Sequence, residues 1–286
     1  MYEVLKDKIK HVNPTMPGIP HPGLCNSNKI PKKPKVVKRD ETTGLVRNLT
    51  ISSDQFSFEE IIDTLLERDH RRINTSSDSE ALLNLFAAEI QRSINGRRGG
   101  LDALSEEDVF RAIRAINETV EGSYSVVTMI TGWGIVAFRD PHGIRPLSIG
   151  TCEIDGFTET LVASESVAKK ALGFERERDV APGEAIVVRM DGTRTSRICA
   201  DSTSHTPCIF EYVYFARPDS RLDGVSVHGA RLAMGARLAN RITDEYPDHA
   251  IDCVIPVPDS GRIAALELAR ELGVSYRDCL LYTSPS

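Results

Sequence analysis

The dipeptide Asp191-Gly192, set between the runs at residues 185–190 and 193–199, constrains this chain more than any other feature. Asp-Gly suits the left-handed backbone of a tight turn, so two strands that it joins pair antiparallel within one sheet. Residues 124–130 and 133–138 flank Thr131-Gly132 in the same way, and residues 209–215 read as one further strand. Helical signals precede the strands. Ser57 with Glu60 forms a capping-box pattern ahead of Ile61, Ile62, Leu65 and Leu66, and Ser77 with Glu80 forms another ahead of Leu82, Leu83, Phe86 and Ile90. A third helix opens near Ser105 and presents Val109, Ile113, Ile116 and Val120 on one face. Helices followed by a block of antiparallel strands predict a layered α+β domain.

The pattern changes after Arg217-Pro218-Asp219-Ser220. A helix over about 228–245 leads to a short apolar strand at 251–257, then to the polar turn Pro258-Asp259-Ser260-Gly261 and a helix that Gly273 stops. Strand, turn and helix in that order open a phosphate-handling α/β unit. The first N–H groups of the helix favour an anion, Gly261 allows close backbone approach, and Asp259 and Ser260 offer oxygens to a cation. The plainer reading is a βα connection capped by Asp259 or Ser260.

Composition excludes several classes. The 286 residues carry 35 Lys+Arg against 41 Asp+Glu, a net charge of −6, and no extended basic stripe. Such a chain lacks the charge on which nucleic-acid affinity depends. No stretch approaches the ~18 apolar residues of a membrane span, and Met1 to Pro20 holds no secretory apolar segment. The six scattered cysteines form no CxxC and no zinc spacing, which reads as reduced, mostly buried thiols of a cytoplasmic protein.

Three further positions invite chemistry. Asp78, in Ser76-Ser77-Asp78-Ser79-Glu80, places a carboxylate in a first helical turn, where it either binds an ammonium group or complements the helix dipole. Arg139 and Arg145, in the loop from Arg139 to Leu147, either grip an anion or brace the loop through Asp140. His142 and His228 have no partner at ligand spacing.

Taken together, residues 73–80, 136–147, 162–166, 181–184, 208–220 and 254–260 resemble the amidophosphoribosyltransferase family, also called glutamine phosphoribosylpyrophosphate amidotransferases. The run Phe210-Glu211-Tyr212-Val213-Tyr214-Phe215-Ala216-Arg217-Pro218-Asp219-Ser220 is its most specific element. The resemblance implies an α+β N-terminal-nucleophile glutaminase domain of four αββα layers, followed by the start of an α/β type I phosphoribosyltransferase domain. It implies the first committed step of purine (IMP) synthesis, in which ammonia released from glutamine displaces pyrophosphate from phosphoribosyl pyrophosphate with Mg²⁺ help. Asp78 then matches the carboxylate that holds the glutamine amino group. Asp259, Ser260 and Gly261 match the pyrophosphate loop, with Ser260 as the Mg²⁺ contact. Asn48 is the one residue matching the oxyanion loop. A homo-oligomer without nucleic-acid or membrane partners is implied as well.

The departures are equally specific. The family's nucleophile is an N-terminal cysteine whose α-amino group acts as base, whereas this chain opens Met1-Tyr2-Glu3, and Cys25 is followed by no apolar strand. Cys208 matches an iron–sulfur ligand of some members, yet its co-ligands would fall beyond residue 286, so no cluster is expected. The expected organisation is an atypical segment over 1–56, a partial glutaminase domain over 57–227, the beginning of a transferase domain over 228–277, and an unrelated tail over 278–286. The implied picture is a fragment, incomplete at both ends and inactive by itself. Alternatives are another glutamine amidotransferase of the same nucleophile class, or a non-catalytic glutaminase-like binding module.

Overall fold

The computed structural model describes residues 58–75, 77–94, 97 and 99–278, so Asn48, Cys25 and the Ser57 cap lie outside the described residues. Three helices open the described chain: α1 (Phe58–Glu67), α2 (Asp78–Ile94) and α3 (Glu106–Thr119). α3 starts where its sequence signal lies, with the Ser105 hydroxyl accepting from Asp108 N–H and the Asp108 carboxylate reaching back to Ser105 N–H. In α2 the buried stripe is Ala81, Leu85, Phe86 and Ala88, and Leu83 faces solvent. Of the expected stripe, Phe86 is buried and Leu82 and Ile90 pack against the core from its edge, so Leu83 is the one residue misplaced.

The four-stranded antiparallel sheet comprises β1 (Ser125–Ile130), β2 (Gly134–Arg139), β6 (Glu184–Arg189) and β7 (Arg194–Ile198), in that order. Its strands alternate faces, as the period of two demands. Val136, Phe138, Ala185 and Val187 pack with Leu65, Leu85, Phe86, Val109, Ile113 and Ile116 of the helices. Ala137 and Ile186 point the other way and pack with Leu147, Ile149 and Val180. Those partners belong to or flank a second antiparallel sheet, ordered β4 (Phe157–Ala163), β3 (Ser148–Ile154) and β5 (Glu175–Asp179). The short helix α4 (Ser166–Ala171) follows β4.

Both expected hairpins form, but through three-residue loops: Ile130 pairs with Gly134, and Arg189 N–H donates to Thr193 O. Two tighter Asp-Gly turns stand elsewhere. Asp155-Gly156 joins β3 to β4, and Asp223-Gly224 joins β8 (Arg221–Leu222) to β9 (Val225–Ser226), with positive φ at all four residues.

The expected strand over 209–215 is corrected. Glu211–Phe215 is a π-helical turn, closed by Ala216 N–H donating to Glu211 O at 2.9 Å. Burial follows the helical path: the neighbours Glu211 and Tyr212 are inside, while Ile209, Phe210, Val213 and Phe215 are exposed. A short unbroken apolar run carries no period with which to tell the two apart.

Beyond it run α5 (Val227–Glu245), β10 (Cys253–Val254), α6 (Arg262–Leu272) and β11 (Ser275–Tyr276), with β10 and β11 paired in parallel. This is the expected strand–turn–helix unit, although the strand expected over 251–257 contracts to two residues. α5 crosses α6 closely enough that a Cβ at Gly235 would stand 2.3 Å from Ala264 O. Gly273 ends α6 with φ 68°. Among the described cysteines only Cys199 is buried; Cys152 and Cys208 are half-buried and Cys253 is exposed, contrary to the expectation for the set. No helix among the described residues is long and apolar enough to cross a membrane.

Candidate functional site

The segments that carry the family resemblance are joined by a polar framework. Arg139, 1% exposed at the end of β2, uses every N–H of its guanidinium. Nε donates to Arg145 O, Nη1 to Val180 O and Asp223 Oδ1, and Nη2 to Gly143 O and Asp223 Oδ2, all at 2.7–2.9 Å. Bracing is therefore the role of Arg139, with Asp223 as its partner. Asp140, the partner expected, instead accepts the N–H groups of His142, Ile144 and Arg145 in its own turn. Burial alone would raise the pKa of Asp223; the Arg139 hydrogen bonds and charge, helped by His205, outweigh it and hold the carboxyl below the usual range.

The same framework holds the π-helical turn and the residues after it. Arg145 Nη1 lies 2.6 Å from Glu211 Oε1, and its guanidinium sits 5.4 Å over the Phe215 ring. Burial raises the Glu211 pKa, with Glu165 pushing the same way and Arg145 opposing. Glu165 accepts Arg217 N–H at 2.9 Å and the Ser220 hydroxyl at 2.6 Å. Ser166 accepts Arg221 N–H at 2.9 Å. Buried Arg231 of α5 donates to Tyr212 O and Ala216 O. In the turn over 181–184, Glu184 takes a bidentate pair from Arg178 and the Ala181 N–H, which outweigh the cost of its burial and lower its pKa.

Asp78 is exposed at the first residue of α2, and among the described residues its carboxylate meets the Ser79 hydroxyl alone, at 3.3 Å. The capping box expected there takes another form. Glu80 reaches past Ser77 to accept Asn74 N–H at 2.9 Å, Thr75 N–H at 2.8 Å and the Thr75 hydroxyl at 2.5 Å.

The turn over 258–261 follows β10 and runs straight into α6. Asp259 is exposed and pairs with Arg262 at 3.3 Å; the Pro258–Asp259 peptide is cis. Gly261 caps α6 without any side-chain hydrogen bond, while its own N–H and that of Arg262 make long backbone bonds to Val257 O and Asp259 O at 3.3 Å. A Cβ at Gly261 would meet Val257 O at 2.7 Å, which explains glycine there without any special φ. No hydrogen bond or ion pair among the described residues links this turn to Asp78. No group of three or more His, Cys, Asp or Glu side chains converges among those residues. His142 is exposed and pairs with the Ser204 hydroxyl at 2.8 Å, and His228 is exposed on α5.

Sequence reasoning gave no role to Asp223 or Glu165. Asp223 carries a signal, the Asp-Gly turn; Glu165 lies in the 162–166 motif, but its partners 52 and 55 residues away leave no local trace of its role.

No family model matches the sequence. The chain is 50% identical over 220 residues to the amidophosphoribosyltransferase of Pseudomonas aeruginosa, covering 77% of this chain and 43% of that protein. It is 43% identical over 259 residues to that of Haemophilus influenzae, covering 90% and 49%. Among solved structures, the glutamine phosphoribosylpyrophosphate amidotransferase of B. subtilis complexed with ADP and GMP superposes with a TM-score of 0.59 at 30% identity, over 79% of this chain and 46% of that one. The described fold is thus mixed α/β with antiparallel sheets, as its match to that solved structure requires. The chain is homologous to the amidophosphoribosyltransferases. It spans about half the length of the curated relatives it matches.

Proposed function

We infer that the chain carries part of an amidophosphoribosyltransferase of purine synthesis, a cytoplasmic homo-oligomer when whole. In this reading residues 57–227 belong to an N-terminal-nucleophile glutaminase domain of αββα layers, and residues 228–277 open a type I phosphoribosyltransferase domain. One observation carries the two-domain assignment. A match over 90% of 286 residues runs past residue 250 wherever it begins, so it takes in α5 as well as the sheets.

Within that reading, the exposed carboxylate of Asp78 receives the α-ammonium of glutamine. The nucleophile is supplied by no described residue. At the other site, the N-terminus of α6, which no side chain caps, receives the pyrophosphate group, an anion suited to the positive end of a helix dipole. A Mg²⁺ bound together with the phosphates would neutralise their charge, and such an ion needs only one or two protein oxygens besides those of the substrate. Asp259 and Ser260 are the oxygens at hand, and a turn with a single carboxylate fits that mode. The framework around Arg139 and Glu165 ties the turns beside the sheets to the segment that leads into α5.

The test is binding to the purified chain, followed by amide chemical shifts. L-glutamine should perturb Ser77 to Glu80, and magnesium pyrophosphate should perturb Asp259 to Ile263. Silence at both turns would overturn the reading.

A further inference from the structure

We propose that Glu80 is the positioning residue for Asp78, holding the preceding loop so that the Asp78 carboxylate stays free for an ammonium ligand. This rests on the reading of Asp78 given above. The geometry shows a division of labour between two carboxylates in one helical turn. A first-turn acid ordinarily caps its own helix by returning to the N-cap N–H. Glu80 instead grips the loop ahead of the helix through both oxygens: Oε1 takes Asn74 N–H, and Oε2 takes the Thr75 N–H and hydroxyl. The Thr75 hydroxyl oxygen in turn accepts Ser77 N–H at 3.2 Å. Asn74 and Thr75 are thereby tied back onto α2 at four donors, the Asn74 side-chain amide included at 3.4 Å. Asp78 sits inside that clasp and takes no part in it, its carboxylate engaged by Ser79 alone among the described residues. The Asn74 and Thr75 donors are taken up by Glu80, and none of them bonds to Asp78.

Glu80→Gln tests this, because the amide keeps size but loses one acceptor and turns a donor toward Thr75 N–H. In the full chain, hydrogen exchange at Asn74 and Thr75 should quicken at least ~10-fold while Leu85 and Phe86 within α2 stay within ~2-fold. L-glutamine affinity should fall by about a factor of 10, a loss of about 1.4 kcal/mol. Thr75→Val, a milder change, should loosen Ser77 alone. Unchanged exchange at Asn74 and Thr75 in Glu80→Gln overturns the proposal, and so does a loosened loop with undiminished glutamine affinity. Failure of the unsubstituted chain to bind glutamine sinks the Asp78 reading instead, and exchange still reports whether Glu80 holds the loop.

Discussion

Arg139 and Asp223 meet in a two-pronged ion pair at 2.8 and 2.9 Å across 84 residues of chain, with the guanidinium almost wholly out of water. Asp223→Asn keeps the left-handed backbone that the turn needs, since Asn tolerates positive φ. It leaves a buried cation without its counter-charge, a loss of about 3–5 kcal/mol. The urea midpoint should fall accordingly, whereas Asp140→Asn should give a smaller, turn-local change.

The pH dependence has a definite sign. Burial would raise the pKa of Asp108, but Arg97 and Ser105 outweigh it and lower it to about 2. A depressed folded-state pKa adds stability that is present above the unfolded value and lost as pH falls through the folded one. Acid unfolding should therefore show a contribution between about pH 4 and pH 2 that Asp108→Asn removes. Ser105→Ala should cost about 1 kcal/mol as a lost cap, read from thermal melts at neutral pH.

Thiol reactivity should divide by burial. Burial pushes the Cys199 thiol up to about 11, against the pull of Arg114 and Arg197. The thiolate is the reactive form, so Cys199 should resist alkylation at pH 8 in the folded protein, and exposed Cys253 should label first among the described cysteines. Peptide-resolved mass spectrometry over a time course checks the order.

Gly235→Ala should loosen α5 from α6. Its methyl would stand 2.3 Å from Ala264 O, so one helix must shift. Overpacking of this kind costs about 1–3 kcal/mol. Ala239→Gly, on the same helix but removing volume, controls for simple propensity. A melting temperature equal to that of the parent chain would refute the close crossing.

How far the sequence was legible depends on what each feature needed. α3 could be read because its cap is local, within the four residues from Ser105 to Asp108, and its stripe recurs at helical spacing over Val109, Ile113 and Ile116. The Asp-Gly signal found strands but mistook which turns were tightest. The two-residue turns at Asp155-Gly156 and Asp223-Gly224 need positive φ at both positions, whereas the loop at Asp191-Gly192 needs it at Gly192 alone. The whole sheet of β3, β4 and β5 was missed. β5 reads Glu-Arg-Glu-Arg-Asp, so charge masks its pattern. The positions of Asp78 and of the 258–261 turn followed from motif likeness. Asp223, as the partner of Arg139, was invisible because an ion pair across 84 residues leaves no periodic trace.

That separation also has a meaning in time. A chain made at 5–20 residues per second emerges vectorially, so Asp223 follows Arg139 by roughly 4–17 s. For that interval the guanidinium at the end of β2 has no buried anion to meet and is better left in water. The hairpins of the first sheet can pair locally during synthesis, but the corner where Arg139 meets the Asp223-Gly224 turn closes only after the connection to α5 has been made. Closure of the corner at Arg139 is thus timed by a turn made 84 residues later.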